Sequence, residues 1–199
     1  DTNNLATVLA EQTARAVQAI DIAISEIAER LGSRSELAKA DYDAFLRGQV
    51  THDYLRERLS RLPQTEVIGL IDNDGRLVNG TRIWPAISGD FTDRDYFLHA
   101  RDHPGSQLFV SSVVHNRVSG QPNIFFAKRI EAPDGTFLGV VIAGVKPSYF
   151  QHIYQSLISS RQQAFALLRN DGLALVRYPD LDNLTGHRLP ATSQWYAVA

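Results

Sequence analysis

The sequence predicts an α+β protein, a long N-terminal helix followed by two antiparallel sheets in tandem, of which the second is only begun. Three observations predict it. Residues 3–31 carry Leu5, Leu9, Ala16, Ile20, Ala23, Ile27 and Leu31 at steps of three or four, with one gap of seven, as an apolar stripe running up to Gly32. The stretch LIDNDGRLV at 70–78 returns as LLRNDGLAL at 167–175, and self-similarity at a fixed offset signals a repeated unit. Between the two copies lie the strand-like runs QLFVSSVVHN, PNIFFAKRIEA and TFLGVVIAGV, separated by SGQ and PDG.

Taken in order, the leading helix would be more than about 40 Å long at 1.5 Å per residue. Its stripe can pack on its own domain, or part of it can pair with a second copy in a dimer. Residues 35–60 continue in charge-rich helical sequence, SELAKADYDAFLRG and then THDYLRERLSRL, with Thr51 as the expected N-cap of the second piece and Pro63 closing the region. From Glu66 the period changes, and EVIGLI and RLVNGT flank DNDG as a hairpin. FTDRDYFLHARDHP at 91–104 predicts a short helix begun at Thr92 or Asp93 and stopped before Pro104. After the three further strands, PSYFQHIYQSLISSRQ at 147–162 predicts a connecting helix with Pro147 in its first turn. AFALLRNDGLALVRYPD then opens a second sheet in the manner of the first.

Composition narrows the function. With 199 residues, 44% of them hydrophobic, the chain can bury a sizeable core. A net charge of -2 without any run of Lys or Arg argues against a nucleic-acid partner. The absence of cysteine excludes disulfides, thiolate metal sites and a Cys nucleophile, and is compatible with cytosol or periplasm. The longest apolar run, FLGVVIAGV at 137–145, falls well short of the roughly 20 residues of a spanning helix. A chain that begins at Asp1 and contains no Met is expected to be a segment of a longer, membrane-anchored protein. Neither a nucleophile elbow, a phosphate loop, a zinc-protease helix nor a dinucleotide glycine pattern is present, so no catalytic motif, and no cofactor, is expected.

The order of these motifs resembles the double Cache family of bacterial extracytoplasmic sensor domains, also called PDC sensors, whose sheets are PAS-like. The resemblance rests on the long leading helix, on strand-NDG-strand, on DRDYF at 93–97, on the PDG hairpin and on GVVIAGVKPSYF at 139–150. It implies a helical stalk over 1–62, a membrane-distal ligand-binding domain over 63–147, a connecting helix over 148–162 and the truncated start of a membrane-proximal domain over 163–199. It further implies a periplasmic portion of an inner-membrane receptor, homodimeric through the N-terminal helix. A histidine kinase, a diguanylate cyclase or a chemoreceptor signalling region would be its output.

The resemblance also places the ligand site. Arg94, in DRDYF, falls on the position that commonly holds a ligand carboxylate, and a guanidinium offers a planar bidentate fork with a permanent charge. The competing reading is a surface arginine paired with Asp90, Asp93 or Asp95. Tyr96 and Phe97 fall where amino-acid-binding members carry an aromatic pair, with the alternative that Phe97 is core. Those members place an Asp late in the last strand for the ligand's ammonium, and Gly144 stands there, so a carboxylate or another small polar ligand is expected in preference to an α-amino acid. Ser111 and Ser112 are expected as hydroxyl contacts and Trp84 as a lid, while Asn123, His115 and Phe125 lie on strands where alternation turns only half the side chains inward. His99 and His103 have a possible metal-ligand spacing, but an exposed polar face is the simpler reading. A ligand-free structural or protein-interaction module that dimerises through its helix is the alternative function.

Overall fold

The computed structural model describes residues 2–105, 107–157 and 164–193, with side chains from residue 4 onward. Helix α1 runs from Thr2 to Gly32, α2 from Lys39 to Arg47 and α3 from Gln49 to Ser60. Strands β1 (Val67–Asp72) and β2 (Leu77–Gly80) precede helix α4 (Asp95–Asp102). Strands β3 (Phe109–His115), β4 (Pro122–Glu131) and β5 (Phe137–Val145) follow, then helix α5 (Pro147–Leu157) and the strands β6 (Phe165–Leu168) and β7 (Ala174–Tyr178). The first five strands form one antiparallel sheet in the order β2-β1-β5-β4-β3, and β6 pairs with β7 in a second, two-stranded sheet. This is the α+β architecture expected. The connecting helix expected to reach 162 is seen to Leu157, and its last residues lie outside the described ones.

By internal contacts the chain divides into two compact units. One is Asp1–Ala16, Ser112–Ile124 and Lys146–Ala199, and the other is Val17–Ser111 with Phe125–Val145.

In the second of these, the α1 stripe is core. Ile20, Ile24, Ile27 and Leu31 are fully buried, which is the packing-on-its-own-domain reading of the periodicity. Gly32 is required by closeness: a Cβ there would run into the backbone carbonyl of Glu131 at the end of β4. One charge bridges the same surfaces, with Lys128 Nζ on β4 at 2.9 Å from Asp21 Oδ1 on α1. Strands β1 and β5 are buried along almost their whole length, as expected of central strands covered on both faces.

Helix boundaries deviate from expectation where side chains find other partners. Thr51 does not cap α3; Gly48 holds the N-cap position without a side-chain bond, and Thr51 Oγ1 instead donates to Phe45 O at 2.6 Å. The break between α2 and α3 is fixed from the sheet: buried Asn79 on β2 donates to Leu46 O (2.7 Å) and Gly48 O (3.1 Å). Helix α4 starts at Asp95, three residues after Thr92 and two after Asp93, because Thr92 is engaged upstream. Both its amide (3.0 Å) and its hydroxyl (2.7 Å) donate to Asp90 Oδ1, a local turn that competes with helix entry.

The repeat is real at the level of hydrogen bonds. Asp72 N donates to Arg76 O at 2.9 Å and Gly75 N to Asp72 O at 3.0 Å. In the second copy Arg169 N donates to Leu173 O and Gly172 N to Arg169 O, both at 2.8 Å. Gly75 and Gly172 take φ of 77° and 81°, the left-handed conformation this turn requires. Even the register irregularity recurs, between Leu70 and Ile71 and again between Leu167 and Leu168.

Candidate functional site

Helix α4 packs on β5 and carries DRDYF at its start. Arg94 is its N-cap residue, half-buried, with extended backbone dihedrals; its carbonyl accepts from the amides of Phe97 and Leu98, both at 3.0 Å. An N-cap position adds the positive end of the helix to the guanidinium charge.

The next two residues turn fully inward. Tyr96 is 1% exposed and its ring lies 5.3 Å from that of Phe125 on β4. Phe97 meets Phe137 on β5 edge-on at 5.9 Å, and the Arg129 guanidinium lies 4.8 Å from the centre of that same Phe137 ring. Phe97 thus has the packing of a core residue, the alternative weighed for it from sequence, while Tyr96 faces the aromatic of β4.

Phe125 organises this wall. Its amide donates to the hydroxyl of Ser111 on β3 at 2.8 Å, which fixes Ser111, fully buried, as a support of β4. Its ring also lies over Gly144: a Cβ there would come within 2.9 Å of Phe125 Cε1 and 2.8 Å of Val67 Cγ1. Any larger residue at 144 would displace both.

The remaining sequence-derived candidates lie elsewhere. Trp84 is 39% exposed and is anchored on the α2 side, with Nε1 donating to Arg47 O at 2.9 Å and its ring 6.5 Å from His52. Ser112 is half-buried and Asn123 fully buried, and both fall in the other compact unit. Structure therefore brings Tyr96, Phe125, Ser111 and Gly144 together, and Trp84 is not among them.

His99 and His103 stack on one another at 4.2 Å, and His99 stacks on Phe109 at 4.3 Å. Burial, helped by the neighbouring His103, pushes the His99 imidazole below its usual value, with Asp95 opposing. Among the described residues no group of three His, Asp or Glu could hold a metal ion.

Arg129 is the residue that sequence reading missed. Its Nη1 donates to the carbonyls of Ala100 (2.7 Å) and Arg101 (3.1 Å) in the last turn of α4, Nη2 to Gly135 O (3.0 Å), and Nε to Glu131 (2.8 Å). It fastens the C-terminal end of α4 to the β4-β5 hairpin, satisfying carbonyls that a helix end leaves open. A Lys-Arg pair in a strand looks solvent-exposed by composition, and only the burial of Lys128 and Arg129 reveals otherwise.

Comparison with solved structures decides what this arrangement belongs to. The extracellular domain of the putative histidine kinase rpHK1S-Z16 superposes with a TM-score of 0.79 at 26% identity, over 98% of this chain and 76% of that one. An extracellular ligand-binding receptor from Desulfohalobium retbaense gives 0.73 at 19% identity, over 92% of this chain and 32% of that one. The chain shares the fold of these extracellular sensor and ligand-binding domains. A further neighbour of this sensor domain is the ligand-binding domain of the Pseudomonas aeruginosa amino-acid chemoreceptor PctC, solved in complex with GABA, with a TM-score of 0.66 at 18% identity over 96% of this chain and 80% of that one. Neither a family model nor a curated protein matches the sequence of the sensor domain. The expected role, an extracytoplasmic sensor module of a histidine kinase or chemoreceptor, agrees with these neighbours. No described helix is long and apolar enough to cross a membrane.

Proposed function

We propose that the sensor domain binds a small carboxylate, or another small polar molecule, beside the start of α4. Arg94 would hold the anionic group, and Tyr96 with Phe125 would form the apolar wall. The observation that carries this reading is the closeness of Phe125 to position 144, where a Cβ would push against its ring and against Val67; glycine stands there, and β5 offers no acid to an α-ammonium group. Trp84 remains a candidate for a lid, and Ser112 and Asn123 remain candidates for polar contacts within their own unit. The expected boundaries stand as part of the same proposal: a stalk over 1–62, a distal domain over 63–147, a connector over 148–162 and a proximal domain opening at 163.

Membrane anchoring, a periplasmic location and a kinase, cyclase or chemoreceptor output belong to this proposal as well. So does a homodimer through α1. Its buried stripe is already used internally, so the dimer would engage the opposite face, where Val8 and Ile22 are 43% and 54% exposed. Signalling then requires a ligand with different affinity for two arrangements of the helices.

A thermal-shift screen of organic acids, amino acids and nucleobases against wild type and Arg94→Ala tests the site. The expected outcome is a carboxylate that raises the wild-type melting temperature and raises that of Arg94→Ala much less. A carboxylate that stabilises both equally removes Arg94 from the site. A second reading, a ligand-free structural or interaction module, has one observation in its favour: Tyr96, Phe97 and Phe125 are all less than 5% exposed, a closed interior. Absence of any stabilising compound in the same screen would favour it.

A further inference from the structure

A cleft of about 600 Å³ lies well away from Arg94 in sequence, within the unit that contains α5 and β7. Its size falls in the range of small-molecule sites, roughly 300 to 1,000 Å³. Val113 and His115 of β3, Gln121 and Pro122 at the start of β4, Lys146 to Ser148 and Gln151 around the start of α5, and Asp180 with Thr185 to His187 after β7 line it.

The walls are fixed independently of any ligand. Gln151 Nε2 donates to Arg177 O at 3.1 Å, joining α5 to β7. Asp180 accepts the amides of Leu184 (2.7 Å) and Thr185 (3.3 Å), which closes the 180–185 loop on itself. Gly186 adopts φ of +88°, and a Cβ there would touch Val113 at 3.8 Å, so the loop lies against β3.

The charges inside are mostly of one sign. Lys146 stands next to the start of α5, an 11-residue helix whose N-terminal end is positive, although Pro147 carries no amide N–H and the amide of Tyr149 donates to Lys146 O at 3.0 Å. Imidazoles His115 and His187 stand on two other walls. The one carboxylate, Asp180, is already engaged: burial works against its charge, but Thr185, the Leu184 and Thr185 amides and nearby Arg177 together keep it ionised. An anion entering the cleft therefore meets Lys146, the helix start and the imidazoles of His115 and His187, opposed by a carboxylate whose oxygens are turned into its own loop.

We propose that this cleft is a second ligand site, separate from the one beside α4, and that it takes a small oxyanion, a carboxylate or a phosphate. The proposal does not depend on Arg94: the two sites share no residue.

Titration of the 199-residue protein with succinate and with inorganic phosphate at constant ionic strength, followed by amide chemical shifts, tests it. Saturating shifts are expected at Ser148, Gln151, Gly186 and His187 with at least one of the two. Lys146→Gln should weaken that binding roughly tenfold, the size of one charge-assisted hydrogen bond, and His187→Asn severalfold, whereas Arg94→Ala leaves it unchanged. Shifts that stay linear to about 20 mM, shifts confined to the α4 region, or a folded Lys146→Gln protein that binds within twofold of wild type would each overturn the proposal. A linear response is the signature of an adventitious ion only. Retention of the dispersed amide spectrum in His187→Asn, an exposed position, separates lost binding from lost folding.

Discussion

The two NDG hairpins share a backbone and differ in almost everything around it. In both, the residue three before glycine exchanges the same turn hydrogen bonds, and the glycine is left-handed. The likeness extends further along the chain: Leu77 N donates to Gly89 O and Phe91 N to Gly75 O in the first, Ala174 N to His187 O and Leu189 N to Gly172 O in the second. Yet the first turn is organised by an acid, Asp72, whose Oδ1 accepts the amides of Asp74 (3.1 Å) and Arg76 (2.8 Å). The second has Arg169 at that place, paired with Asp171 at 2.8 Å, and Arg188 reaches the same carboxylate at 2.6 Å. What is kept is backbone geometry, and what varies is side-chain chemistry. A motif of this kind marks architecture, and the site proposed beside α4 lies between its copies.

The largest expected difference between them is in burial. Leu70 is 1% exposed on a strand paired on both sides, β2 and β5, whereas its counterpart Leu167 is half-buried on β6, paired with β7. Leu70→Ala should cost about 3 kcal/mol, within the range for large-to-small core changes, and Leu167→Ala about 1 kcal/mol. Urea unfolding curves give both values, and equal costs would break the comparison.

Next comes the turn glycine of the first copy. Gly75→Ala places a Cβ against the Thr92 methyl and near Phe97 Cζ, in addition to the left-handed φ, for an expected loss of about 2 kcal/mol. Because Thr92 and Phe97 flank Arg94, this variant should also shift the amides of α4.

A smaller effect is expected at the acid. Asp72→Ala leaves two turn amides without their acceptor and should cost about 1 kcal/mol, read in the same unfolding experiment.

The smallest effect is a pH dependence at Asp171 in the second copy. The hydrogen bond from Arg169, with the charges of Arg169 and Arg188, holds the Asp171 carboxyl well below the usual carboxylate range despite partial burial. A depressed folded-state value means that the stabilisation is fully present above the unfolded carboxylate pKa of about 3.9 and is lost as pH falls below it toward the folded value. Acid titration should therefore loosen amide protection at Gly172 and Leu173, and Asp171→Asn should abolish that acid-dependent step.

Much of this architecture was legible because it rests on periodicity and turn chemistry. The α1 stripe, the strands and both NDG turns follow from apolar spacing and from residues that tolerate positive φ. Boundaries at Thr51 and Thr92 were misplaced because a hydroxyl that could cap a helix also bonds to nearby backbone or carboxylate, and sequence does not say which. The site was legible only in part. Tyr96 and Phe125 were named, yet their contact depends on pairing between distant strands. Arg129 was invisible because a buried charge reads as a surface one, and the 600 Å³ cleft was invisible because residues near 115, 146 and 187 meet only in the folded chain.

The proposed recognition site lies beside α4, between the two hairpin copies. Its most direct test is a map of amide shifts on adding the carboxylate that most stabilises the protein. Saturating shifts are expected at Arg94 to Phe97 and at Phe125, lost in Arg94→Ala. A carboxylate that binds and stabilises the wild-type protein while leaving those amides unmoved would contradict it.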